Sequence, residues 1–133
     1  MSVIHIQQYQ LDEYWPQVLP YLERAMEHAR GEMDCSQMRY MLSKGHGEMF
    51  VAKTEDKIDG AAVVEFRNYP NFRVANVIAV GGRGMVKHAE EFKAWLKMGG
   101  ASYVEGHCYE SISRLWESKL GMKKAYIIMR GAL

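Results

Sequence analysis

The stretch Val80-Gly81-Gly82-Arg83-Gly84-Met85 decides how this sequence folds. Ahead of it, Phe72–Val80 predicts a strand. Behind it, Met85, Ala89, Phe92 and Leu96 recur at helical spacing and predict one helix from about Met85 to Met98. Glycines between a strand end and a helix start let backbone N–H groups point outward, and the helix dipole favours an anion there. The same spacing also suits an ordinary β–α connection. Beyond Gly99-Gly100 a further strand is expected at Ala101–Cys108. A last helix, Ser111 to Leu120, is expected to stop at Gly121, and Tyr126-Ile127-Ile128-Met129 to close the sheet.

Upstream of the turn the pattern is β-rich. Glu48–Thr54 and Ile58–Arg67 read as strands joined by a tight turn at Glu55-Asp56-Lys57, and Asn68-Tyr69-Pro70-Asn71 is a turn by composition. Val3-Ile4-His5-Ile6 is a short β-prone run. Asp12 suits a cap for the helix after it, in which Trp15, Leu19, Leu22, Met26 and Ala29 recur at helical spacing until Gly31. Pro16 is tolerable in its first turn, whereas Pro20 should kink or restart it. A short helix from Asp34 carries Met38, Met41 and Leu42. Hairpins followed by β-α-β-α-β predict an α/β domain with a mixed, mostly antiparallel sheet flanked by helices.

Composition narrows the function classes. At 133 residues a single domain, 1–133, is expected, and a chain of this length buries a core without disulfides or metal. Seventeen basic residues against sixteen acidic ones, mixed along the chain, leave a net charge of +1 and no footprint for nucleic acid or an anionic membrane. No stretch approaches a membrane span, and the N-terminal residues do not read as a signal peptide, so a cytoplasmic protein is expected. Cys35 and Cys108 are read as free thiols in a reducing compartment, with one disulfide as the alternative. Ten methionines suggest an adaptable core or contact surface. His5, His28, His46, His88 and His107 share no ligand spacing, so no metal is expected.

The order of elements resembles the GNAT fold, that of the acyl-CoA-dependent N-acyltransferases. The resemblance spans essentially the whole chain as topology, with its motif support between Val80 and Met122. The family pattern Q/R-x-x-G-x-G/A falls on Val80–Met85 or one residue later. The middle glycine and a basic residue are present; the first basic position is not, and the turn is short. The resemblance implies that Val80, Gly81, Gly82, Arg83, Gly84 and Met85 hold the diphosphate of acetyl-CoA or another acyl-CoA. The family pattern N-x-x-A-x-x-L-Y-x-K-x-G-F, anchored on Gly121-Met122, places Glu110 at the asparagine, Ser113 at the alanine, Glu117 at the tyrosine and Lys119 at the lysine. It implies Glu110 beside the pantetheine arm and Glu117 as proton donor to the leaving thiolate, a role an ionised carboxylate opposes. The run Glu110–Gly121 looks more like small phage proteins with a GNAT-like fold, internal virion proteins of short-tailed phages among them. These keep the helix and the glycine and lose the tyrosine. That likeness implies a second class: a non-catalytic virion component, or a binder of a host or viral protein, in the host cytoplasm or the virion.

Acyl transfer to an amine acceptor, a small molecule or a protein, requires a base near the sheet opening. Glu65 shares a strand face with Ala61 and Val63 and suits that role, or a paired surface glutamate. Asn76, polar within an apolar strand, suits orientation of substrate or a satisfied core amide. His107 ends the fifth strand and suits the role of base there, or is structural. Cys108 points to the opposite face from His107, which argues against a nucleophile pair. Arg83 is the side chain best placed for a phosphate. Lys119, Lys123, Lys124 and Arg130 suit an acidic partner or a solvated edge. The two classes differ in one geometric respect. An acyltransferase needs a gap between the fourth and fifth strands, which Trp116, Tyr109 or Met85 would close; a binding protein needs an exposed apolar patch.

Overall fold

The computed structural model describes residues 2–133. Its centre is one five-stranded sheet: β1 (Val3–Ile6), β2 (Glu48–Thr54), β3 (Lys57–Asn68), β4 (Arg73–Gly81) and β5 (Tyr103–Gly106), paired in that order. The first four pair antiparallel, and β5 lies parallel to β4. The β2–β3 turn places Glu55 and Asp56 at φ of 53° and 65°, the left-handed geometry that closes a two-residue hairpin in step with strand twist.

The sheet has a core on each face. On one side α1 (Leu11–Met26) and α2 (Cys35–Ser43) bury Trp15, Val18, Leu22, Met38 and Leu42 against Met49, Val51, Ala61, Val63 and Ala79. On the other, α3 (Arg83–Lys87) and α4 (Ala89–Met98) bury Met85, Phe92 and Leu96 against Val3, Phe50, Ala62, Val64, Ala75 and Val77. Alternation along each strand produces this division, since successive side chains point to opposite faces. Trp95 Nε1 donates to Val3 O at 2.9 Å, and the Glu91 carboxylate accepts from the Val3 N–H, so α4 clasps the edge strand β1.

Several expectations are corrected. Both prolines lie inside one continuous α1. Two prolines within a helix cost about 6 kcal/mol at about 3 each, and burial of Leu11, Trp15, Val18 and Leu22, at roughly 1.5–3 kcal/mol for each large side chain, offsets it. Gln10 rather than Asp12 is the α1 N-cap, and the helix ends at Met26, ahead of Gly31. Asp34 does cap α2, accepting from Gln37 N–H at 2.8 Å while the Gln37 side chain accepts from Asp34 N–H at 2.9 Å. The expected helix from Met85 to Met98 is two helices that meet at His88, whose φ of −109° and ψ of 34° are not helical. No proline or glycine marks that break. Finally, Tyr126–Met129 joins no strand: after α5 (Glu110–Leu120) and Gly121, in its left-handed cap at φ 65°, the chain runs exposed to its end. Lys124 pairs with Glu110 at 2.5 Å and Arg130 with Glu32 at 2.5 Å, and the segment between them lies clear of the sheet.

Candidate functional site

The parallel pairing of β4 and β5 runs only from Val74↔Tyr103 to Val77↔Gly106. From there β4 continues to Gly81 while β5 ends, so the two strands part. Directly after Val77 the β3–β4 register shifts: Val64 faces Val77, Val63 faces Ala79, and Ile78 is left as the extra residue of a bulge. Bulges bend a strand and re-aim its side chains, and this one sits where β4 leaves β5.

β4 delivers its end into the glycine turn, where close packing requires each glycine. A Cβ on Gly81 would stand 2.4 Å from Tyr21 O on α1. One on Gly82, at φ +87°, would stand 2.2 Å from Asp59 O, and one on Gly84 only 1.8 Å from Asp59 Oδ1. No backbone carbonyl among the described residues accepts from the N–H groups of Gly82, Arg83, Gly84 or Met85. Four donors therefore stand free at a strand–helix junction, with the exposed Arg83 among them. Asp59 opposes them: its Oδ2 accepts from Thr54 Oγ1 at 2.5 Å, while Oδ1 is buried against Gly84 without a partner. A carboxylate there both engages the local dipole and repels another anion.

Below the turn lies an apolar cleft of about 40 Å³, bounded by Val77, Val80, Met85, Phe92, Lys93, Val104, Trp116, Leu120 and Met122. That is room for about one water molecule. Trp116 fills the space over the last strand pair, since a Cβ on Gly106 would stand 2.9 Å from its ring. Met85 is buried with its side chain against Gly60, and Tyr109 turns away, under the Arg30 guanidinium at 4.9 Å and edge-on to His28. Of the three residues able to close the gap, Trp116 is the one that covers it.

On the α1/α2 face, β3, β4 and β5 place Glu65, Asn76 and Glu105 side by side in register. Asn76 is only 7% exposed and is the one buried polar residue among the described residues. Arg67 Nε donates to Glu65 Oε1 at 2.7 Å, and Tyr69 OH donates to Glu105 Oε1 at 3.3 Å. His107 is exposed just past β5. Glu117 is exposed on α5, on the same side as Cys108, Glu110 and Lys124. Partial desolvation of the Cys108 thiol and the nearby carboxylates of Glu110 and Glu117 push its pKa up, so it is a poor thiolate. Glu110 is held below the usual carboxylate range by its hydrogen bond from Lys124. The structure thus brings Glu65 and Asn76 together, sets His107 past the strand end, and leaves Glu110 and Glu117 on the outer surface. Glu105 and Asp59 were missed in the sequence. The period of two along β5 places Glu105 opposite Asn76 once the register is known; no local signal places Asp59 under the glycine turn. Among the described residues no group of three His, Cys, Asp or Glu side chains forms a metal site, and no helix is long and apolar enough to cross a membrane.

No family model matches the sequence, and no curated protein matches it. Solved structures do. An aminoglycoside acetyltransferase from an uncultured soil metagenomic sample, in complex with sisomicin, is similar with a TM-score of 0.68 at 14% identity, over 98% of this chain and 95% of its own. A probable acetyltransferase is similar with a TM-score of 0.70 at 12% identity, over 100% and 97%. The ribosomal-protein-alanine N-acetyltransferase of Brucella melitensis biovar Abortus 2308 is similar with a TM-score of 0.65 at 14% identity, over 98% and 100%. At such identities the likeness is one of fold, and the fold is that of the GNAT acetyltransferases.

Proposed function

We propose that the protein is an N-acyltransferase that moves an acyl group from acyl-CoA to an amine. The observation that carries this reading is the parting of β4 from β5 after Val77 and Gly106, beside a turn with four unpaired N–H groups. The turn fits a diphosphate, with the N–H groups of Gly82, Arg83, Gly84 and Met85 as donors and the Arg83 guanidinium as counter-charge. The path of the pantetheine arm is open only when the Trp116 ring leaves Gly106. Acyl-CoA supplies an acyl group already activated as a thioester. Glu65 or His107, directly or through water, takes the proton that the attacking amine sheds; Asn76 orients the acceptor; water, rather than the outward-facing Glu117, returns a proton to the departing sulfur.

A second reading has its own observation. Trp116 over Gly106 and the Asp59 carboxylate beneath Gly84 suit a non-catalytic protein of this fold, a phage virion component or a binder of another protein.

Titration of acetyl-CoA by calorimetry separates the two. Micromolar binding that weakens at least tenfold in Arg83→Glu supports the acyltransferase. No binding at millimolar acetyl-CoA overturns it. Arg83 is exposed and is the better probe, because any side chain at Gly84 collides with Asp59.

A further inference from the structure

The end of the sheet farthest from the glycine turn carries an aromatic cluster that acyl transfer leaves unused. There the β3–β4 connection holds Tyr69 and Phe72, and β5 begins with Tyr103. The Phe72 ring lies 5.5 Å from that of Tyr69 and 4.8 Å from that of Tyr103, inclined at 80° and 66°. Tyr69, Phe72 and Tyr103 are nevertheless 44%, 40% and 61% exposed. Rings this open add little to the core, and together they present π faces to solvent.

A carboxylate stands beside the rings. Glu105 follows Tyr103 by two residues on the same face of β5, and its Oε1 accepts from Tyr69 OH at 3.3 Å. Arg67 neutralises Glu65 at 2.7 Å and also reaches the Tyr69 hydroxyl. Two carboxylates and one guanidinium leave one negative charge here, and it falls on Glu105, which no described cation pairs. Opposite Glu105 in register, Asn76 is 7% exposed and makes no side-chain hydrogen bond among the described residues, although its amide is not sealed from solvent. A buried amide is ordinarily satisfied, so one that opens beside an unpaired carboxylate offers itself to the polar group of a ligand.

We propose that Tyr69, Phe72, Tyr103 and Glu105 bind a methylated or quaternary ammonium group, while Asn76 hydrogen-bonds a polar atom of the same small molecule. Ring faces attract a cation through their quadrupole, and Glu105 supplies the counter-charge. An ammonium clothed in methyl groups gives up little hydration at such a surface, whereas a bare ammonium is strongly hydrated. Adjacent strands lie about 4.8 Å apart, so a short carbon tether carries the polar atom from the rings on β5 to Asn76 on β4. The ends of β4, Arg73 and Gly81, stand roughly 26 Å apart at strand rise, which keeps this site clear of the glycine turn. The site therefore holds with or without acyl-CoA.

NMR titration of the full chain with choline chloride tests this, against sodium chloride at equal ionic strength. The expected result is a saturable shift of the Asn76 side-chain amide and of the backbone amides of Tyr69, Phe72, Tyr103 and Glu105, half complete at millimolar choline. Tetramethylammonium, which lacks the hydroxyl, should shift the ring residues and leave the Asn76 side chain in place. Phe72→Ala/Tyr103→Ala and Glu105→Gln should each weaken choline at least fivefold with an unchanged circular dichroism spectrum. Tyr9→Ala, an exposed ring elsewhere, should change nothing. No saturable shift, shifts confined to other residues, or unchanged affinity in both site variants overturns the proposal. So does ammonium or guanidinium binding there as tightly as choline, since the rings would then not be selecting an alkylated cation.

Discussion

If the glycine turn holds a diphosphate as proposed, Asp59 sets its affinity, because Oδ1 is buried against Gly84 without a hydrogen-bond partner. Its charge and that of a bound diphosphate share the same small volume, and like charges in a desolvated place repel strongly. Asp59→Asn removes the charge and keeps the shape. It is expected to tighten acetyl-CoA binding about tenfold, equivalent to about 1.4 kcal/mol, read by the titration used for Arg83→Glu; unchanged affinity would show that the diphosphate does not approach this carboxylate. Gly84→Glu is expected to lower stability before it alters binding, since a Cβ at 1.8 Å from Oδ1 forces the turn away from β3. A thermal melt distinguishes the two effects. The glycine spacing was legible in the sequence; the carboxylate beneath it was not, because Asp59 sits on another strand and reaches the turn only through the β3–β4 register.

At the scale of elements, α5 ends at Leu120 and Gly121 as expected, and the chain after it differs most from what local sequence suggested. The strands β2, β3 and β4 were legible because β-branched and small residues run between unmistakable turns, as at Glu55-Asp56 and Asn68–Asn71. Tyr126–Met129 has the same local character and forms no strand within the chain, since pairing depends on a neighbouring edge that local sequence does not encode. The proposed arm path beneath Trp116 makes a direct prediction. Trp116→Ala uncovers Gly106 and is expected to strengthen acetyl-CoA binding several-fold; weakened binding would place the indole among the groups that hold the arm. The tail makes another. The hydrogen bond from Arg130 lowers the Glu32 pKa from 4.5 to about 2. A lowered carboxylate pKa makes the ion pair fully effective above pH 4.5 and lost as pH falls through about 2. NMR line widths of residues 124–130 are expected to sharpen across that window, and Glu32→Gln to show the sharpened state at neutral pH. Broad lines in that variant would mean the tail is held elsewhere.

For the whole molecule, the sheet acts as a partition. The core under α1 and α2 supports β3 and β4 from one face; the core under α3 and α4 also walls the apolar cleft, through Met85, Phe92 and Leu96. Truncation in either core leaves a cavity and costs about 2–5 kcal/mol. At about 3–5 °C per kcal/mol for a domain of this size, that lowers the melting temperature by roughly 6–25 °C. Met38→Ala, on α2, and Phe92→Ala, on α4, are therefore expected to destabilise the protein to a similar extent, as read by thermal unfolding. Their effects on acetyl-CoA should diverge. Met38 lies across the sheet from the cleft, so its loss leaves affinity unchanged well below the melting temperature. Phe92 lines the cleft, and its removal enlarges the space proposed for the pantetheine arm, which is expected to shift affinity at least several-fold. Equal shifts in both variants would mean that the faces communicate through β4, where the bulge at Ile78 joins the two cores. A shift with Met38→Ala alone would place the ligand on the α1/α2 face, beside Asn76 and Glu105, and remove the glycine turn from the site.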